Sequence, residues 1–250
     1  MNSFEDILLK RRSIRKYSAE DIDDATLNAI LEMGCRASTT GNMQPYSIIV
    51  TKDSEMKKKL APFHFNQKMV VEAPVMLTFC ADFNRFNKWC RQRDAEPGYD
   101  NFLSFVTAAI DAVIVAQTVA IAAEAKGIGI CYLGTAIYTA NEIIKALNLP
   151  TGVVPVTAIT LGLPAENPEQ VDRLPLEAVA HNEVYKDYSA DDINQYYAAK
   201  EARPDSLKYV ADNNKETLAQ VFTDIRYKKA DNEHFSEILL NVLKSQGFII

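Results

Sequence analysis

The longest apolar run in the chain, Phe105 to Ala125, constrains the fold more than any other feature. Its strongly polar side chains are Asp111, Gln117 and Glu124, set among many alanines. The spacing predicts a helix over Phe102 to Lys126. Acidic side chains are expensive within a bilayer, so the run reads as a buried core helix and not a membrane span. A helix apolar on most sides must be covered by other elements. The rest of the chain therefore has to wrap it.

Elsewhere the pattern mixes strands and helices. Strands are expected at Tyr46 to Thr51, Pro74 to Ala81, Ile128 to Leu133 and Val153 to Leu161. Ser3 with Asp6 resembles a capping box for a first helix, and Asp23 or Asp24 can cap a second that buries Leu27, Ile30 and Leu31. Charged helices are expected over Ser54 to Leu60 and, capped by Asp82, through Arg85, Lys88, Arg91 and Arg93. Another is expected at Thr139 to Leu147. Beyond Pro175 only helices are expected, at Ala190 to Glu201, Lys208 to Thr223 and Glu233 to Ser245. Strands and helices do not alternate as a doubly wound sheet requires, so the class is α+β. A core over residues 1–185 and a helical extension over 186–250 are expected. The tail's apolar stripes (Ile193, Tyr196 and Tyr197; Phe235, Ile238, Leu239 and Val242) need a surface to cover.

Composition narrows the partners. A net charge of −6 argues against a general nucleic-acid binder. Cys35, Cys80, Cys90 and Cys131 form no CxxC pair and have no histidine-rich neighbour, so neither a zinc site nor a disulfide framework is expected. The first residues lack the basic-then-apolar pattern of a signal peptide, and a cytoplasmic protein is expected.

The chemistry is concentrated in two short segments. Arg11-Arg12-Ser13-Ile14-Arg15 places three guanidiniums and a hydroxyl within five residues. Arginine offers fixed, permanently charged donors suited to bidentate phosphate recognition. On an extended backbone Arg11, Ser13 and Arg15 point the same way, as a phosphate claw. Taken alone, the segment also fits a solvated basic turn. Asn42 and Gln44 lie in a loop beside Gly41 and Pro45. Their carboxamides match the donor and acceptor edge of a pyrimidine-like ring, and they equally suit turn chemistry. Gly127-Ile128-Gly129 follows the long helix and precedes a strand, the reverse of a dinucleotide fingerprint. His64, His181 and His234 are far apart, and no nucleophile elbow is present. Phosphate donors and ring-binding amides without a catalytic cluster suggest that a bound cofactor does the chemistry.

Together with Asn42-Met43-Gln44-Pro45-Tyr46, the arginine segment resembles the nitroreductase family of FMN enzymes. Cys80-Ala81-Asp82-Phe83-Asn84-Arg85, Tyr132-Leu133-Gly134 and Leu161 through Pro168 resemble its oxygen-insensitive, NADPH-preferring nitroreductases and flavin reductases. The resemblance implies a mixed or antiparallel sheet of four to five strands flanked by helices, with a helical C-terminal arm. It implies a homodimer with an FMN at each of two sites on the dimer interface. Donor and acceptor would share one site in ping-pong order, the donor being NADPH or NADH. The acceptor would be a small molecule: a nitroaromatic, a quinone or free flavin. A non-catalytic flavin-binding carrier or sensor is the alternative.

Position by position, the resemblance implies that Arg11, Arg12, Ser13 and Arg15 hold the FMN phosphate and the pyrimidine edge of the ring. Thr39, Asn42 and Gln44 would line the flavin, and Gln67 would contact it. Tyr132, Leu133 and Gly134 would form the turn over it, and Arg173 would be a second phosphate ligand. No metal is implied. Relatives carry Lys-Pro-Arg where this chain has Val171-Asp172-Arg173, so one positive charge is lost and a negative one is added. Lys200, Arg203 and Lys208 would meet the extra phosphate of NADPH.

Overall fold

The structure is a computed structural model that describes residues 4–249. Ser3, the expected first cap, lies outside the described residues. The chain opens with α1 (Phe4–Lys10) and α2 (Asp24–Gly34) and reaches β1 (Tyr46–Thr51). Next come α3 (Ser54–Leu60), α4 (Lys68–Glu72), β2 (Val75–Asp82) and α5 (Asn84–Arg91). The long helix is α6 (Phe102–Ala125), followed by β3 (Gly129–Leu133), α7 (Ala140–Ala146) and β4 (Val153–Gly162). The remainder is helical: α8 (Ala190–Glu201), α9 (Pro204–Asp212), α10 (Leu218–Val221) and α11 (Lys229–Ser245).

Contacts divide the chain into two units. One runs to Glu169 and resumes at Phe235; the other is Gln170–His234. By these contacts the second unit starts at Gln170, and most of α11 returns to the first unit. It returns because Val242, Leu243 and Phe248 bury against Phe83, Phe105 and Val154. Part of the tail's apolar surface is therefore covered within its own chain.

The first unit is built on a four-stranded sheet of order β1-β2-β4-β3, antiparallel throughout. All eight residues of β2 are buried, because helices cover both of its faces. Val75, Leu77 and Phe79 pack with Ala112, Val115, Ala116 and Val119 of α6. Met76 packs on the opposite face with Leu60, Met69, Leu133 and Ile143. Alanines allow α6 a close approach to the sheet, and Gly34 lets α2 approach α6. A Cβ at Gly34 would come within 2.1 Å of Val119.

The arginine segment attaches to the free edge of β3. Ser13 bridges Ile130 in parallel, and the Ile14 N–H donates to the Ile130 carbonyl at 2.8 Å. A Cβ at Gly129 would come within 2.8 Å of the Ile14 side chain, so the absence of a side chain there lets the segment dock.

The helix expected over Lys208 to Thr223 is two helices. α9 stops at Asp212, and Asn214 takes a left-handed φ of 51° that no helix can continue. A capping box of Thr217 with Gln220 then starts α10, which runs into a single π-helical turn, Phe222–Arg226. α11 begins four residues before the expected Glu233. Asp23 does cap α2, accepting from the Thr26 N–H, and the Asp82 carboxylate accepts from the Arg85 N–H at 3.3 Å.

His64 closes a short 3-10 turn, Ala61–His64, and is fully buried. Its Nδ1 pairs with the Thr135 hydroxyl at 2.7 Å. Burial pushes the imidazole from its ordinary 6.5 down to about 4, so it is neutral in the fold. The unfolded chain binds the proton more tightly between these values. Stability from this group is complete above pH 6.5 and is lost as pH falls toward 4. The expected loss between pH 7 and 4.5 is about 2 kcal/mol. Urea denaturation at the two pH values should show that much less pH dependence in His64→Gln than in wild type. Equal slopes in both proteins would mean that His64 is not held neutral by the fold.

Candidate functional site

The three arginines meet different surroundings. Arg11 donates to the Glu124 carboxylate of α6 through Nε and Nη2, each at 3.3 Å. Burial holds the Glu124 carboxyl above its usual range despite the guanidinium beside it. Arg12 donates to Asn167 Oδ1 at 2.7 Å and to the Pro168 carbonyl at 2.9 Å. Arg15 is exposed, and its guanidinium has no hydrogen bond or ion pair among the described residues. The backbone beneath it is fixed, because Glu166 Oε1 accepts from the N–H groups of Arg15 at 2.6 Å and Lys16 at 3.1 Å. The Lys16 carbonyl in turn accepts from the Ala165 N–H at 3.0 Å. The segment after β4 therefore cradles the arginine segment, a role for Glu166 and Asn167 that sequence reasoning missed. Within the chain Arg11 and Arg12 are paired, and Arg15 is presented to solvent.

The loop before β1 is strained. Gly41, Asn42 and Gln44 have φ of 54°, 54° and 53°. A left-handed backbone costs non-glycine residues about 1 kcal/mol or more each, so something must hold it. Asp111 of α6 does so from below. Its Oδ2 accepts from the Thr39 hydroxyl at 2.7 Å and the Thr40 N–H at 2.9 Å, and its Oδ1 from the Thr40 hydroxyl at 3.0 Å. Thr39 Oγ1 accepts in turn from the Gln44 N–H at 3.0 Å. Gln44 Nε2 donates to Asn42 Oδ1 at 3.1 Å and to the Asn42 carbonyl at 3.0 Å. Arg85 clamps the other side, donating to the carbonyls of Gln44 and of Tyr46, the latter at 3.2 Å. Thr39, Asn42 and Gln44 are thus one preorganised group. In the sequence Asp111 is only a polar interruption of an apolar run; a carboxylate inside such a run was the one signal available.

Gln67 and the turn after β3 are also brought together. Gln67 Nε2 donates to the His64 carbonyl at 3.1 Å, while His64 Nδ1 holds Thr135. The Thr139 hydroxyl donates to the Phe63 carbonyl at 2.7 Å. The turn itself, Gly134–Ile137, is a 3-10 helix whose first N–H groups receive no side-chain cap. A Cβ at Gly134 would touch nothing within 4 Å, so the space over it is open. Tyr132 and Leu133 present no side chain there. Tyr132 faces α6, its hydroxyl donating to Gln117 at 3.3 Å, and burial pushes it up to about 12. Leu133 is buried in the core on the other face of the sheet.

The second unit holds the remaining cations. Arg173 is exposed and donates to the Asp172 carbonyl at 2.8 Å. Asp172 does not stand as an uncompensated negative charge: Lys200 pairs with it at 3.0 Å and Arg203 lies at 4.0 Å. Arg203 also forks onto Asp205 at 2.9 and 3.3 Å, and Lys208 pairs with Asp212 at 2.8 Å. The three cations expected to meet a nucleotide phosphate each have a carboxylate partner.

Known proteins share this arrangement over most of its length. The Nitroreductase family profile matches residues 8–163. The NADPH-flavin oxidoreductase of Vibrio harveyi is 34% identical over 196 residues, covering 78% of this chain and 80% of its own. An FMN reductase [NAD(P)H] of Bacillus subtilis is 33% identical over 252 residues, covering 99% and 98%. A crystal structure from Bacteroides fragilis superposes with a TM-score of 0.97 at 56% identity, covering 98% of this chain and all of that one (100%). With the profile spanning the sheet and both segments that bear the candidate site, the chain belongs to the nitroreductase family.

Proposed function

We propose that this chain is an FMN-dependent oxidoreductase that takes reducing equivalents from NAD(P)H and delivers them to small-molecule acceptors such as nitroaromatics, quinones or free flavin. One observation carries the reading. Arg15 presents an unpaired guanidinium from a rigidly anchored backbone, and Asn42 and Gln44 are held in a strained, preformed loop. An anion and a flat ring with amide-like edges fit that donor set. The names of the flavin reductases at 33–34% identity support the same cofactor and donor.

Arg15 with Ser13, supported by Arg12, would hold the phosphate. Thr39, Asn42, Gln44 and Gln67 would orient the ring, and the uncapped N–H groups from Gly134 onward would face it. Bound FMN supplies two-electron transfer between a nicotinamide and an acceptor. The protein's part is to position both partners in turn at one open site and to supply positive charge. Steady-state NADPH oxidation in the presence of free flavin or a quinone tests the reading. A protein that yields FMN on denaturation yet turns over neither would be the carrier or sensor instead.

A homodimer in the cytoplasm is part of the proposal. One face of α6 carries Leu103, Ile110 and Val113, which are 73%, 54% and 45% exposed. An apolar stripe at helical spacing on a core helix is the kind of patch that a second copy covers. The four cysteines are free thiols, as a reducing compartment keeps them.

Three outcomes are expected. Arg15→Ala should weaken FMN binding about ten- to hundredfold, the worth of a charge-assisted hydrogen bond; unchanged affinity on FMN titration would remove Arg15 from the site. Wild type should sediment as a dimer and Ile110→Asp as a monomer with weakened FMN binding, whereas a monomeric wild type that retains FMN would end the dimer reading. Because Lys200 and Arg203 are already matched to Asp172 and Asp205, preference for NADPH over NADH should be small and should shrink with salt. Asp205→Asn removes the fork partner of Arg203 and should raise the NADPH to NADH ratio of kcat/KM. A ratio that ignores both salt and this substitution would show that the arm does not read the extra phosphate.

A further inference from the structure

We propose that Asp111 is a positioning residue for the cofactor: it sets how tightly the protein holds flavin through the loop above it, without touching the flavin. The proposal rests on the FMN reading given above.

Asp111 is 2% exposed and sits on the buried face of α6. Among the described residues no lysine or arginine pairs with it. Burying a carboxylate without a cation is costly, and a helix that is otherwise apolar at this face would pack more cheaply on a leucine. What compensates the charge is a set of three donors, and all three belong to Thr39 and Thr40. The carboxylate therefore serves one purpose in this structure, which is to hold the root of the loop.

The hold extends to the residues that would meet the ring. The Thr39 hydroxyl spends its proton on Asp111 and so leaves its oxygen free to accept from the Gln44 N–H. Gln44 then ties Asn42 through its carboxamide. The chain of bonds runs from α6 to both carboxamides across a left-handed backbone that would otherwise relax. Preorganisation of this kind raises affinity because the loop need not be ordered when the ligand binds.

Three holoenzymes test the proposal beside wild type: Asp111→Leu, Thr39→Val and Asp111→Asn. Leucine fills the space without accepting, and valine keeps the threonine shape but breaks the relay to Gln44. Asparagine can still accept from Thr39 and from the Thr40 N–H, with the Thr40 hydroxyl turning to accept from its amide. FMN release on dilution is followed by flavin fluorescence, with the visible band of the bound flavin and the thermal midpoint read on the same samples. Asp111→Leu and Thr39→Val should release FMN about tenfold faster, with an altered visible band. Asp111→Asn should stay within about threefold of wild type, since the bonds and not the charge are what position the loop. If the leucine variant fails to fold, a wild-type release rate in Thr39→Val still overturns the proposal, and Asp111→Asn reads the role of Asp111 itself. Wild-type release rates in Thr39→Val and Asp111→Leu would overturn the proposal, as would asparagine behaving like leucine. A wild-type protein that yields no FMN on denaturation would instead overturn the FMN reading.

Discussion

The packing of α6 against the sheet is the constraint on which the rest of the first unit depends. One face of this helix supplies the alanines and valines that cover Val75, Leu77 and Phe79. The same face delivers Asp111 under the loop before β1, and the C-terminal end of the helix delivers Glu124 to Arg11. The longest apolar run in the chain lies in this helix of 24 residues, and burying one side of it fixes its placement. The two polar contacts ride on that placement.

Around this core, the candidate site is assembled from segments that are individually unremarkable coil or short turn. The arginine segment is an edge addition to β3, tied by a bridge to Ile130 and by Glu166. The loop before β1 is a strained turn held by a helix on one side and by Arg85 on the other. The turn after β3 is stitched to the 63–67 segment through His64 and Thr139. In the first two cases a rigid element of the sheet or of α6 fixes a short polar segment, which is how a site gains precision without being buried. Asn42 and Gln44 both carry left-handed backbone, and the network around them offsets the strain.

The second unit follows a different rule. Lys200, Arg203 and Lys208 are balanced locally by aspartates rather than gathered into a free positive patch. Asp172, which from the sequence alone looks like a charge defect beside a phosphate ligand, is a partner for Lys200 and Arg203. A charge substitution read along the chain has no fixed sign of effect until its spatial partners are known.

Much of the fold was legible from local pattern. The four strands, the long helix and the helical tail each follow from the spacing of apolar residues, since that spacing directly encodes which side of an element faces the core. The arginine segment and the Asn42–Gln44 loop were legible from side-chain chemistry, and their order along the chain pointed to the family. Pairing was not legible. Arg11 finds Glu124 across 113 positions, and Thr39 finds Asp111 across 72. Such partners carry no local signature, because any arginine or threonine would read the same with or without them. The strand order β1-β2-β4-β3, the division of the three arginines between internal pairs and solvent, and the use of Asp111 as a support were decided only by stacking the layers. Stacking selects among many locally acceptable side-chain pairs the few whose burial and hydrogen bonding are satisfied together.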